Sequence, residues 1–205
     1  VNIQPIVEGH GDVSAIPVLL RRLKNEAGKH DVGVLKPIRQ PRAKLVQKDS
    51  LQKAVQLAAL RPGCNAILIV FDSDDDCPKE LAARLQAWAC EVSGSRPCHV
   101  VMAVKEYEAW FLAALESLRG KRGVNDDAVS FVEPEAIRGA KEAIERNMRR
   151  GFSYKETTEQ PAFTEQFDMR AAYRNCRSFR KFVKSFGDLI FLHETSVEWP
   201  PASWI

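Results

Sequence analysis

The sequence has little of what marks membrane, secreted or fibrous proteins. Its apolar runs, such as Ala66–Phe71, fall far short of the roughly 20 residues that a bilayer-crossing helix needs. No basic-then-apolar leader opens it, and we expect a cytoplasmic protein without membrane contact. The five cysteines are odd in number and contain no Cys-x-x-Cys pair, which argues against a disulfide framework and a cysteine-based zinc site. The net charge is only +3, so the total alone does not mark a nucleic-acid binder. Repeats and low-complexity tracts are also missing. What is present is 45% hydrophobic and 28% charged residues over 205 positions, enough for one folded core with an appendage.

Short apolar runs alternate with segments of helical period through the first half, the pattern of strand-helix-strand units around a mostly parallel sheet. Strands are expected at Ile3–Val7, Val32–Ile38, Ala66–Phe71 and Cys98–Val104. Helices should start at Asp12 as N-cap, with Pro17 near the first turn, then near Ser50, Lys79 and Glu106. Past Gly120 the pattern changes. A helix is expected from Pro134-Glu135 to about Arg150, then a Tyr- and Phe-bearing stretch, with a last strand at Leu189–Leu192. The expected fold class is therefore α/β, Rossmann-like, with residues 1–118 as the core and residues 119–205 as a mainly helical extension packed on it.

In such sheets the crevice lies beyond the carboxyl ends of the strands, so the residues that follow each strand are informative. Glu8 follows the first strand, Asp72, Asp74, Asp75 and Asp76 follow the third, and Glu106 and Glu108 follow the fourth. Carboxylates gathered in one volume repel unless protons or a cation offset them. Magnesium prefers hard oxygen ligands and suits phosphoryl chemistry. Asp72, Asp74 and Asp76 would share one side of an extended exit from the strand, although Asp76 is equally a cap for the next helix. The loop Glu8-Gly9-His10-Gly11-Asp12 reads as a tight turn that admits a phosphate to a helix start, or as a turn alone. His10 is a substrate contact or an ordinary loop histidine, and Lys105 a phosphate partner or a surface lysine.

Charge is unevenly distributed. Between Arg138 and Lys184 lie twelve basic and six acidic residues, leaving the rest of the chain slightly acidic. Tyr154, Phe163, Phe167, Tyr173 and Phe179 interleave with that basic stretch, as on a strand-tracking surface, or else form core.

Glu8-Gly9 after a first strand, with a buried strand ending in Asp72-Ser-Asp74, resembles the Toprim domain shared by topoisomerases, primases and several nuclease families. The series that continues through Glu106-Tyr-Glu108-Ala-Trp110, Pro134-Glu135 with Lys141, and Tyr154-Lys155 to Ser178-Phe179 is similar to an uncharacterised bacterial branch of Toprim-like proteins, a domain-of-unknown-function family. The resemblance implies magnesium, or manganese in its place, at Glu8, Asp72 and Asp74 with Asp76 as a further ligand. Glu106 or Glu108 would be auxiliary ligand or base, and Gly9, His10, Gly11, Lys105, Lys141 and Lys155 would bind substrate. It further implies a nuclease acting on DNA or RNA, with an ATPase partner in a defence-type system. Two departures stand out: no glycine follows the aspartate motif, and Pro5 falls inside a central strand, where a bulge or an edge position is expected. The rival readings are a non-catalytic partner or sensor module, and a phosphatase of small phosphoesters with Asp72 as covalent nucleophile.

Overall fold

The computed structural model describes residues 1–192, 194 and 197–205. The chain opens with β1 (Asn2–Val7) and α1 (His10–Glu26), then β2 (Gly33–Val34), β3 (Ile38–Arg39), α2 (Arg42–Leu45) and α3 (Lys48–Ala59). β4 (Ala66–Asp72), α4 (Pro78–Cys90) and β5 (Cys98–Ala103) complete a parallel sheet of order β2-β1-β4-β5, with β3 also paired to β1. The α/β expectation holds: a Rossmann-like parallel sheet with helices on both faces.

The second strand is not continuous, and Pro5 accounts for where it breaks. The carbonyls of Val1, Ile3 and Val7 accept hydrogen bonds from Gly33, Leu35 and Gln40, so odd positions of β1 face β2 and β3. Pro5 faces the same way but has no N–H to give. The side-chain amide of Gln4 bridges the gap, donating to the carbonyls of Pro5 and Lys36, each at 2.9 Å. Pro5 is thus accommodated in an interior strand, at an interruption of its neighbour.

Strand alternation sends side chains to two cores. Ile6, Ile67, Ile69, Phe71, Val100 and Met102 pack under α3 and α4. Ile3, Val7, Leu68, Val70, Val101 and Ala103 pack under α1 and the later helices: α5 (Ala109–Leu112), α6 (Ala140–Arg146), α7 (Glu156–Gln166), α8 (Met169–Asn175) and α9 (Arg177–Ile190). Phe163, Phe167 and Phe179 are fully buried here, and Trp110 donates to Ser178 Oγ at 2.8 Å. The aromatic residues Phe163, Phe167 and Phe179 therefore form core, and a base-stacking role for them is ruled out. No helix among the described residues is long and apolar enough to cross a membrane.

Other expectations need correction. Gly9 is the N-cap of α1, and Asp12 is the third helical residue, accepting from the Gly9 N–H at 2.9 Å. Pro17 consequently sits inside the helix rather than in its first turn. The helix expected from Pro134 to Arg150 is a turn at Pro134–Ala136 and then α6, separated by Gly139 in the left-handed region at φ 68°. Each piece is tied to another element. Glu135 caps α9 through the amides of Arg177 and Ser178, and Glu106 accepts from the amides of Ala140 and Lys141 at the start of α6. The strand expected at Leu189–Leu192 is absent: Leu189 and Ile190 finish α9, where they continue the apolar stripe of Phe182 and Phe186.

α1 and α7 pack closely, and Gly11 is what lets them. A Cβ on Gly11 would stand 1.9 Å from Gln160 Oε1 and 2.9 Å from the Glu156 carbonyl oxygen, a backbone atom that cannot yield alone. At an exposed helical site, Gly-to-Ala raises stability by up to ~1 kcal/mol. Gly11→Ala should instead lower it by ~1–3 kcal/mol in urea denaturation, the range for overpacking. A neutral or stabilised variant would mean that the two helices have room to spare.

Candidate active site

Register puts the ends of β1 and β4 side by side: Val7 pairs with Val70, so Glu8 and Asp72 emerge from neighbouring strand ends. β5 ends beside Asp72, which pairs with Ala103, and the chain then turns into the segment carrying Glu108. All three acids line one cavity of about 420 Å³ together with Asp12, Lys141, Glu156 and Gln160. Asp12 comes from α1, Lys141 from α6, and Glu156 and Gln160 from α7. Gly9, His10, Arg39 and Arg42 border the same space.

Hydrogen bonds fix most of these groups. Asp72 Oδ1 accepts the Tyr107 N–H at 2.9 Å, and Glu108 Oε1 accepts the Tyr154 hydroxyl at 2.8 Å. Gln160 donates to Asp12 Oδ1 at 2.9 Å, and Lys141 Nζ lies 2.9 Å from Glu156 Oε2. Two carboxylate oxygens, Glu8 Oε2 and Glu108 Oε2, are buried with no hydrogen-bond partner among the described residues. Buried acceptors left unmatched are costly, and more so when charged.

The electrostatics follow from that crowding. Burial raises Glu8 to about 6; Arg42 works against the rise and Asp74 and Asp12 add to it. Glu108 is pushed by burial up to about 7, against the pull of Lys141 and Tyr154. Burial, then the charges of Glu108, Asp12 and Glu8, hold Asp72 well above the usual carboxylate range, and burial raises Asp12 too. Burial alone would lower Lys141, but Glu108, Glu156 and Asp72 outweigh it and keep its ammonium charged. Five carboxylates therefore share this lining with one lysine and two arginines.

Arg42 is engaged elsewhere. Its guanidinium lies 3.2 Å from Asp74 Oδ2, contacts Asp76, and donates to the main-chain carbonyls of Asp72 and Ser73. Asp74, in the left-handed region at φ 48°, and Asp76 stand on the exposed turn beside the cavity rather than in its lining. Asp75 is held by Lys105 at 3.0 Å and Arg138 at 2.7 Å, which keep its carboxyl low. Lys105 and Glu106 line a separate shallow pocket with Asp74, Asp75 and Arg138. Gly11 is covered by α7, and Lys155 is an exposed residue that precedes that helix. Of the residues singled out in the sequence, Glu8, Asp72, Glu108, Gly9, His10 and Lys141 thus come together; Asp74, Asp76, Glu106, Lys105, Gly11 and Lys155 lie outside the lining.

Sequence reasoning missed Asp12, Arg42, Glu156 and Gln160 as neighbours of the site. One signal was available: Glu156 and Gln160 are four apart, a polar pair on one helix face. Among the described residues no three His, Cys, Asp or Glu side chains are grouped closely enough to hold a metal ion unaided. Magnesium is commonly held by one or two carboxylates plus water and phosphate, so Glu8 and Asp72, which share the lining with Glu108, have the donor chemistry for it.

A family model described as Domain of unknown function (DUF4276) matches residues 7–186. No curated protein and no solved structure matches the chain.

The raised carboxyls have a thermodynamic signature. Where a folded-state pKa lies above its unfolded value, the folded state binds more protons in between, so stability is full below the unfolded value and falls as pH rises through the folded one. For Glu108 and Glu8 that window runs from 4.5 to about 7 and about 6. Urea denaturation in EDTA should show stability falling across it, and Glu108→Gln, which keeps the acceptor for Tyr154, should reduce the total fall by on the order of 3 kcal/mol. Superimposable profiles for the two proteins would contradict the burial of a titrating Glu108.

Proposed function

The chain belongs to the DUF4276 family, and we propose that it is a Toprim-like, divalent-cation-dependent hydrolase of phosphodiester bonds in DNA or RNA. The observation that carries this reading is the meeting of Glu8, Asp72 and Glu108 beyond the ends of three adjacent parallel strands, two of them with a buried oxygen that has no partner among the described residues. Magnesium or manganese, when bound by Glu8 and Asp72, would supply Lewis acidity toward a phosphoryl oxygen and charge to offset the carboxylates. Lys141 stays cationic across neutral pH, and Glu156 aims its ammonium, so it can hold a non-bridging phosphate oxygen. Glu108, with its pKa near 7, is matched to accept or return a proton at neutral pH, and the Tyr154 hydroxyl fixes its orientation. Arg39 and His10 at the mouth are exposed and placed to meet the flanking strand.

A second reading has its own support. A cavity of about 420 Å³ is within the usual range for small ligands, so a small phosphoester is an alternative substrate for the same residues. Partner control by an ATPase is compatible with either substrate.

The deciding experiment incubates the purified chain with single- and double-stranded DNA, tRNA and p-nitrophenyl phosphate, in Mg²⁺, Mn²⁺ or EDTA. Strand cleavage that needs the metal, and a loss of at least ~100-fold in kcat for Glu8→Gln and for Asp72→Asn, is expected. Cleavage indifferent to EDTA and to both substitutions would remove the proposal, and metal-dependent turnover of the phosphoester alone would replace it with the second reading.

A further inference from the structure

Two further hollows adjoin the acidic cavity, and three separate stretches of chain pass all of them in one order. After β4, Asp72 lines the cavity, Asp74 and Asp75 line the shallow pocket, and Pro78 and Lys79 line a cleft of about 610 Å³ between α4 and α9. After β5 the chain meets the same spaces in reverse: Val104 at the cleft, Lys105 and Glu106 at the shallow pocket, Glu108 at the cavity. The stretch leading into α6 does likewise, with Glu135 at the cleft, Arg138 and Gly139 at the shallow pocket and Lys141 at the cavity. The shallow pocket therefore lies between the other two, and the three hollows form one track across the carboxyl ends of β4 and β5.

Charge changes along this track. In the shallow pocket every acid is already engaged: Asp74 by Arg42 at 3.2 Å, Asp75 by Lys105 and Arg138, and Glu106 by the α6 amides of Ala140 and Lys141. In the cleft it is positive charge that is unspent. Lys79, Arg177 and Lys181 belong to its lining, all three are exposed, and none forms an ion pair among the described residues. Glu135, the one acid in that lining, is taken up by the α9 amides of Arg177 and Ser178 at 3.0 and 2.7 Å. Arg177 and Lys181 stand one turn apart on one face of α9, about 6 Å along its axis. Asp188, 4.0 Å from His99, ends the positive surface on that face.

We propose that the cleft is a phosphate-binding site for the flank of the substrate: a single strand of DNA or RNA seated in the cavity runs over the shallow pocket, and its backbone phosphates meet Lys79, Arg177 and Lys181. This course for the strand rests on the reading of the cavity as a nucleic-acid hydrolase. The cavity by itself turns five carboxylates toward a polyanion, so attraction beyond that of a bound cation has to come from outside it, and the cleft supplies it. Contacts to phosphates away from the reacting one contribute affinity and position the strand without reading its bases. Only exposed side-chain cations at the mouth of the cleft take part, so neither the covered edge of β5 nor the packing of α4 and α9 has to open.

The test follows binding of labelled oligo(dT) and oligo(U), each of about twenty nucleotides, to the full chain by fluorescence anisotropy, in EDTA so that nothing is cut. The triple variant Lys79→Gln, Arg177→Gln, Lys181→Gln should bind at least ~10-fold more weakly and lower the slope of log K against log salt by about 2, at ~0.7 per lost phosphate contact. Arg21→Gln, Lys53→Gln, Arg61→Gln removes the same charge from exposed positions outside the three hollows and should bind like the parent. In the parent itself, bound oligonucleotide should shield Lys79 and Lys181 from acetic anhydride. Equal losses in the two triple variants, an unchanged salt slope, or labelling indifferent to the strand would overturn the proposal. So would polyaspartate that binds the parent as tightly as the oligonucleotides at equal charge, which would assign the cleft to an acidic protein segment. Binding is read here without turnover. A strand held by the cleft but never cut in Mg²⁺ or Mn²⁺ would remove the hydrolase reading and keep the site, whereas metal-dependent cutting with normal binding by the first triple variant would do the reverse.

Discussion

The arrangement rests on one electrostatic imbalance: more carboxylates around a part-buried cavity than its cations can match. Glu8, Asp12, Asp72, Glu108 and Glu156 face a space where Lys141 is the committed counter-charge, Arg42 being occupied with the neighbouring aspartate turn. A low dielectric magnifies both the repulsion among the acids and the value of any cation placed between them. Burial first, and repulsion from neighbouring acids second, shifts Glu8, Asp72 and Glu108 upward, so the site favours proton uptake.

The fold creates this imbalance by bringing distant segments together. Parallel register delivers Glu8 and Asp72 to adjacent strand ends, and the turn after β5 adds Glu108. The later helices close the other side. Gln160 reaches Asp12 across 148 positions of sequence, Tyr154 orients Glu108, and the Lys141–Glu156 pair links α6 to the start of α7. The close approach at Gly11 makes this possible, so the glycine serves helix packing rather than phosphate approach. The turn bearing Asp74 and Asp76 is steadied by Arg42, whose guanidinium also lies 5.6 Å from the centre of the Phe71 ring.

Much of the sheet was legible because β1, β4 and β5 are short apolar runs bounded by polar turns, and the residues after such strands in an α/β sheet are where chemistry concentrates. That reasoning found Glu8, Asp72 and Glu108 as cavity residues. It did not distinguish Glu108 from Glu106, because which acid turns inward depends on α6 offering its amides to Glu106, a contact between segments 34 positions apart. Nor did the Asp72-Ser-Asp74 spacing show that the left-handed backbone at Asp74 would direct its carboxylate to Arg42. Leu189–Leu192 read as a strand because a short apolar run has no decisive period; packing against Phe182 and Phe186 decided for helix. The aromatic residues of the basic region were ambiguous for the same reason, and burial assigned Phe163, Phe167 and Phe179 to the core.

The most direct test of the central claim is calorimetric titration of the metal-free chain with Mn²⁺ in two buffers of different protonation enthalpy, which reports ion binding and proton release together. If the raised carboxyls await a cation, saturable binding should release protons at pH 6.5 and fewer at pH 8, and Asp72→Asn should abolish it. Absence of binding, or binding that releases no proton and is unchanged in Asp72→Asn, would contradict the account.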